Sequence, residues 1–218
     1  MMCKYLGSGS MRRVDMSFKK WIAVAMLTVL APLSFAANTV ADPYKKIEKV
    51  TVELLDIIAA YRDSYPETEV VYFGKLDQLL SAHVDFGFIA RNVMGSYGRS
   101  ASPEQRALFA RTFRDGLVET YGRGLIGYND QKIVLLESEP LAKGQRRVTV
   151  KQEIRSADNV YPLEYSLARK KTGEWMVVNV VINGINLGKT FRNQFVQSAQ
   201  RSGGDIDQVI NGWLSDPK

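Results

Sequence analysis

Apolar residues recur at helical spacing through the first part of the chain. Ile47, Val50, Leu54, Leu55, Ile57 and Ile58 run up to about Tyr61, behind an Asp42-Pro43 opening that offers an acid for the cap and a proline for the first turn. Pro66 opens a second helical segment carrying Val70, Phe73, Leu76, Leu79, Leu80 and Val84. Asp85 reads as the cap of a short third helix, Phe86 to Met94, stopped by Gly95. The clearest start is Ser102-Pro103-Glu104-Gln105, where Ser102 can accept the third residue's amide and Gln105 can reach back. It predicts a long helix with Leu108, Phe109, Thr112, Phe113, Gly116, Leu117, Tyr121 and Leu125 on its apolar face, fraying near Gly122, Gly124 and Gly127.

Beyond that point the period changes to short β-rich runs separated by turn residues. Four strands are expected, near Lys132 to Glu137, Arg146 to Ser156, Tyr161 to Lys170 and Trp175 to Val181, in the order of an antiparallel meander. Two closing helices follow, Leu187 to Arg201 and Asp205 to Leu214. Helices first and strands later give an α+β fold. The third strand is apolar on one face, through Tyr161, Leu163, Tyr165 and Leu167. The fourth is apolar on both, because Met176, Val178, Val180 and Ile182 alternate with Trp175, Val177 and Val181. Such a strand is either sandwiched between two helical layers or lines an apolar ligand cavity; periodicity does not separate the two.

Residues 16–36 change the meaning of the composition. Lys19 and Lys20 precede an apolar run from Trp21 to Leu30, and small residues follow near Ser34 and Ala36. This is the pattern of a secretory signal peptide, residues 1–36, with Met16 one of three candidate starts. The run is broken by Pro32 and is shorter than the roughly 20 residues that span a bilayer. Cys3 precedes the run, so it cannot be a lipoprotein acceptor at the cleavage point. The whole chain of 218 residues carries a formal charge of +6; after residue 36 there remain 24 Lys/Arg against 22 Asp/Glu, a balance of +2. No basic stripe with interleaved aromatics survives, which argues against a nucleic-acid partner. The exported portion, residues 37–218, has no cysteine and must hold together by packing alone.

Catalytic signals are nearly absent. His83 is the sole histidine, so a Ser-His-Asp triad must use it and a multi-histidine metal site cannot be built. Glu137/Glu139 and Asp205/Asp207 sit where strand ends and helix first turns place acids for structural reasons. Gly95, Gly184 and Gly188 form no phosphate-loop fingerprint. The reading is a non-enzyme without metal or cofactor. An isomerase or dehydratase acting on an apolar substrate is the alternative, with Asp85 and Tyr121 as its candidate polar pair.

The run FGFIARNVMGSYGRSASPEQRALFARTFRDGLVETYGRGLIGYND, followed by GEWMVVNVVINGINLGKTFRNQF, resembles the toluene-tolerance, or MlaC-like, periplasmic phospholipid-binding proteins. The likeness spans about Asp42 to Leu214, with one departure: Gly98 stands where related sequences often carry tryptophan. The resemblance implies a strongly twisted four-stranded antiparallel sheet, of the cystatin-like or nuclear-transport-factor-like cone type, wrapped by about six helices around an apolar cavity. It implies that residues 37–218 are a phospholipid-binding domain, with a sheet lobe packed against a helical lobe. It also implies a monomeric carrier of diacyl phospholipid, shuttling between an outer-membrane lipoprotein–porin complex and the MlaD-like ring of an inner-membrane ABC transporter to maintain outer-membrane lipid asymmetry. Combining that fold with the apolar patterns assigns the tail lining to Phe109, Phe113, Leu117, Tyr121 and Leu125 on the long helix. On the strands it assigns Val148, Val150, Ile154, Tyr165, Leu167, Met176, Val178 and Val180. Arg91 and Arg99 flank the loop before the long helix and are the candidates for the headgroup rim. Arg147 and Lys151 alternate with the apolar positions and should face away.

Overall fold

Asp42 caps the first helix: its Oδ1 accepts from the amides of Tyr44 at 2.9 Å and Lys45 at 3.4 Å, and α1 (Pro43–Arg62) follows. The computed structural model describes residues 42–129 and 131–213, all within the unit Thr39–Lys218. The expected signal peptide and Leu214 lie outside the described residues. After a turn at 63–68, α2 (Glu69–His83) runs into Val84 and Asp85, which fasten to the sheet through the Asp85 amide donating to the Val177 carbonyl at 2.9 Å. Asp85 then caps α3 (Phe86–Val93), accepting from the Phe88 amide at 3.0 Å.

A single turn, α4 (Tyr97–Ser100), had no signal in the apolar pattern. It folds back closely on α3: a Cβ at Gly98 would lie 2.9 Å from the Arg91 carbonyl oxygen. A tryptophan therefore cannot follow this backbone path, and the departure at Gly98 goes with a local conformation that glycine permits. The expected capping box is formed, with the Gln105 amide donating to Ser102 Oγ at 3.1 Å and the Ser102 amide to Gln105 Oε1 at 2.9 Å. It opens α5 (Pro103–Leu125). This helix does not fray at Gly122, because the glycine is where α5 meets α2. Tyr72 donates to the Gly122 carbonyl at 2.9 Å, and a Cβ there would stand 2.8 Å from Leu76 Cδ1.

The sheet has five strands rather than four, each antiparallel to its chain neighbour: β1 (Lys132–Leu135), β2 (Arg147–Arg155), β3 (Val160–Arg169), β4 (Trp175–Ile182) and β5 (Ile185–Asn186). The extra strand comes from Asn183 (φ 48) and Gly184 (φ 78), both in the left-handed region, which make the two-residue turn that suits a hairpin. Asn186 then caps α6 (Leu187–Arg201), and Asp205 caps α7 (Ile206–Gly212), giving seven α-helices among the described residues where about six were expected.

Three apolar clusters hold these elements. The first lies among α3 to α7 and is built on Phe109, Phe113 and Phe195, with Trp213 edge-on to Phe109 at 5.2 Å. The second lies on one face of the sheet, where Val150, Leu167, Trp175 and Val177 pack under Ile47 of α1. The third joins α1, α2 and the end of α5 through Ile58, Tyr72, Leu76 and Val118.

Candidate functional site

Strand register decides which side chains share the inner face of the sheet. Val148 pairs with Leu167, Val150 with Tyr165 and Ile154 with Tyr161; on the other side Tyr165 pairs with Val180 and Leu163 with Ile182. Val148, Val150, Ile154, Tyr165, Leu167 and Val180 therefore face one way. Met176 does not belong with them. The register shifts between Ser166 and Leu167, so that Ser166 pairs with Asn179 while Leu167 pairs with Val177, and Val178 is the unpaired residue. The bulge exchanges the faces of β4 below it: Trp175 and Val177 join the inner cluster, whereas Met176 sits opposite Ala168 on the outer face. Strict alternation along the sequence gives the opposite assignment for these residues.

The residues expected along α5 are also divided. Phe109, Phe113 and Leu117 belong to the helical cluster with α3, α6 and α7, and Leu125 to the cluster with α1 and α2. Tyr121, 43% exposed, meets Phe191 edge-on at 6.5 Å. A helix of 23 residues is about 34 Å long, enough to serve two separate clusters, so one apolar stripe does not mean one covering partner. The expected lining is thus not one surface, and its continuous part is on the strands.

That inner face is closed at one end and open at the other. Trp175, Val177, Leu167, Val150 and Leu163 are buried, whereas Tyr165, Val180 and Ile182 are half-buried and Tyr161 and Ile185 at the far end are 40% and 59% exposed. On the β2 side α1 covers the face, and Gln152, 2% exposed, is held by Thr51 at 3.1 Å. Tyr165, between Val150 and Val180 in register, packs against the same cluster of Val150, Leu167, Trp175 and Val177. Its hydroxyl has no hydrogen-bond partner among the described residues, yet burial pushes its phenol far above the usual tyrosine range.

Three clefts are seen elsewhere. One of about 500 Å³ lies between Asp42, Tyr44, the 138–145 loop and Trp175. Another of about 280 Å³ lies over Met176, ringed by Asp85, Arg111, Arg114 and Lys170, and a third of about 240 Å³ sits between Phe73 and Val118. Of the expected lining residues only Met176 borders any of them, and it does so from the outer face.

Arg91 and Arg99 are exposed on α3 and α4, and neither forms an ion pair among the described residues. α3 reaches the sheet at its start, beside Val177, which is the closed end. At the open end Lys132 and Arg155, paired in register, share the parity of Arg147 and Lys151 and face outward, with Arg155 held by Glu153 at 2.8 Å, while the exposed Lys189 follows just after β5. Asp85 caps α3 and lies 3.6 Å from Lys170, while Tyr121 packs on Phe191, so this pair is committed to separate structural contacts. His83 is half-buried with Nε2 at 3.9 Å from Glu53. Desolvation holds it below its ordinary value, aided by Lys46 and Lys49 and opposed by Glu53 and Glu174.

Residues 48–215 match the family described as MlaC protein. The chain belongs to the MlaC family. Two curated MlaC-like relatives cover most of its length. Toluene tolerance protein ttg2D of Pseudomonas putida is 33% identical over 193 residues, 88% of each chain. The intermembrane phospholipid transport system binding protein MlaC of Haemophilus influenzae is 28% identical over 196 residues, 88% of this chain and 90% of that one. Among solved structures, the phospholipid-binding protein from Ralstonia solanacearum, in complex with a phospholipid, superposes with a TM-score of 0.68 at 22% identity. The match covers 81% of this chain and all of that one, and so the MlaC fold is shared. No helix among the described residues is long and apolar enough to cross a membrane.

Proposed function

We propose that this protein is a periplasmic phospholipid carrier of an Mla-type ABC transport system and not an enzyme. The observation that carries the reading is the inner sheet face, closed at Trp175 and open at Tyr161 and Ile185, in a family with a phospholipid-transport member and on a fold that elsewhere holds a phospholipid. Acyl tails enter at the open end and run along Ile182, Val180 and Tyr165 toward Val150 and Leu167. The headgroup stays at the rim, where the exposed Lys189 attracts phosphate without enclosing it. Burying the charged headgroup deeper would cost far more than the tails require.

The energetics suit a docked transfer. Each methylene gains about 0.8 kcal/mol on leaving water, so a long tail does not escape by free diffusion. The carrier therefore loads from an outer-membrane lipoprotein–porin complex and unloads at an MlaD-like ring, after the segment up to residue 36 has directed export. Incubating labelled-phospholipid-loaded protein with membranes containing the MlaD-like ring tests this. Label should move only when the ring is present; equal transfer to ring-free vesicles of the same lipid would contradict it.

A further inference from the structure

Tyr165 occupies an unusual place on the inner face. Gln152 has Thr51 as its partner, and Arg169 Nε at the closed end donates to the Gly173 carbonyl at 3.1 Å. Tyr161 stands at the exposed end. Trp175 Nε1 is buried without a partner at the closed end, and at the middle of β3 Tyr165 combines an inward position, apolar neighbours on both sides in Val150 and Val180, and a hydroxyl without a partner among the described residues. The hydroxyl is available to whatever occupies this apolar face, and phenylalanine would fill the same space without offering a donor.

Depth limits what the hydroxyl can meet. Tyr165 is four residues from Tyr161, about 13 Å along the strand. Resting on the carrier reading above, the headgroup and its esters lie at the open end, so the part of the ligand reaching Tyr165 is the middle of an acyl chain. A saturated chain has no acceptor there. A cis double bond does, because its π electrons accept a weak hydrogen bond, and its bend places that face toward one wall. We propose that the Tyr165 hydroxyl donates to the mid-chain double bond of a monounsaturated tail and biases the cargo toward such lipids. Desolvation of the phenol agrees, since it keeps the group protonated and able to donate.

The test compares wild type with Tyr165→Phe, each purified as the exported chain from one host, with co-purified lipid extracted and its acyl chains profiled by tandem mass spectrometry. Wild type should be enriched in monounsaturated over saturated chains relative to the host extract. The variant should lose about two- to fivefold of that ratio at unchanged lipid per protein, the scale of one weak hydrogen bond. Equal ratios in both proteins would overturn the inference while leaving the carrier reading intact; absence of phospholipid from both would overturn the two together. Should the variant not fold, wild type alone decides through competition between dioleoyl and dipalmitoyl phosphatidylethanolamine. Preference for the dioleoyl lipid supports the proposal, and equal uptake refutes it.

Discussion

Gln152 on β2 and Thr51 on α1 meet in a buried polar contact, with Gln152 Nε2 donating to Thr51 Oγ1 at 3.1 Å and the Thr51 hydroxyl lying 3.3 Å from Gln152 Oε1. It ties α1 to β2 across the sheet face on which Ile47 also packs with Leu167, Trp175 and Val177. Changing either residue alone, Thr51→Val or Gln152→Leu, strands a buried polar group and should cost about 1–3 kcal/mol. The double variant should recover part of that loss, giving non-additive urea-unfolding energies. Strict additivity would mean that the two groups do not depend on each other.

Gly122 makes a second prediction. A methyl group added at its Cα would stand 2.8 Å from Leu76 Cδ1 and 3.0 Å from Phe73 Cε1, so Gly122→Ala must displace these packed side chains or the helices that carry them. A loss of about 1–3 kcal/mol is expected by chemical denaturation, in spite of alanine's better helix propensity. A stabilised variant would show that the α2–α5 approach is not close.

The inner and outer faces of β4 should respond differently. Val180→Gln, on the inner face, should lower the phospholipid that co-purifies with the protein, whereas Met176→Gln, on the outer face, should lower stability without a matching loss of bound lipid per folded molecule. Lipid phosphorus measured against protein distinguishes these outcomes. Equal lipid loss in both variants would contradict the face assignment.

His83 contributes an acid sensitivity. Its folded value lies below that of the unfolded chain, so the neutral imidazole is favoured in the fold. The associated stability is present above the unfolded value, about 6.5, and is lost as the pH falls through the folded one. The urea midpoint of wild type should therefore drop more between pH 8 and pH 5 than that of His83→Gln. Identical drops would show that the histidine titrates normally.

Much of the fold is legible in the sequence because its signals are local. The Ser102–Gln105 box, the Asp42 and Asp85 caps and the hydrophobic periods give α1, α3, α5 and the first four strands within a few residues. The fifth strand was legible too: Asn183-Gly184 is a strong hairpin dipeptide, and only the brevity of Ile185–Asn186 hid it. The candidate site is less legible because it depends on non-local relations. A bulge opposite Ser166 and Leu167 reverses the parity of β4, and alternation cannot register it. Which partner covers Phe109 rather than Leu125 is set by where α3, α6 and α7 lie, and the stripe on α5 is the same in either case.

The most direct check is organic extraction of the protein purified under mild conditions, with mass spectrometry of what it releases. Phospholipid at about one molecule per protein, with headgroups in proportion to the host's supply and unchanged in the Arg91→Ala, Arg99→Ala double variant, is the predicted result. A folded protein that releases no phospholipid, and takes none up from vesicles, would contradict the account.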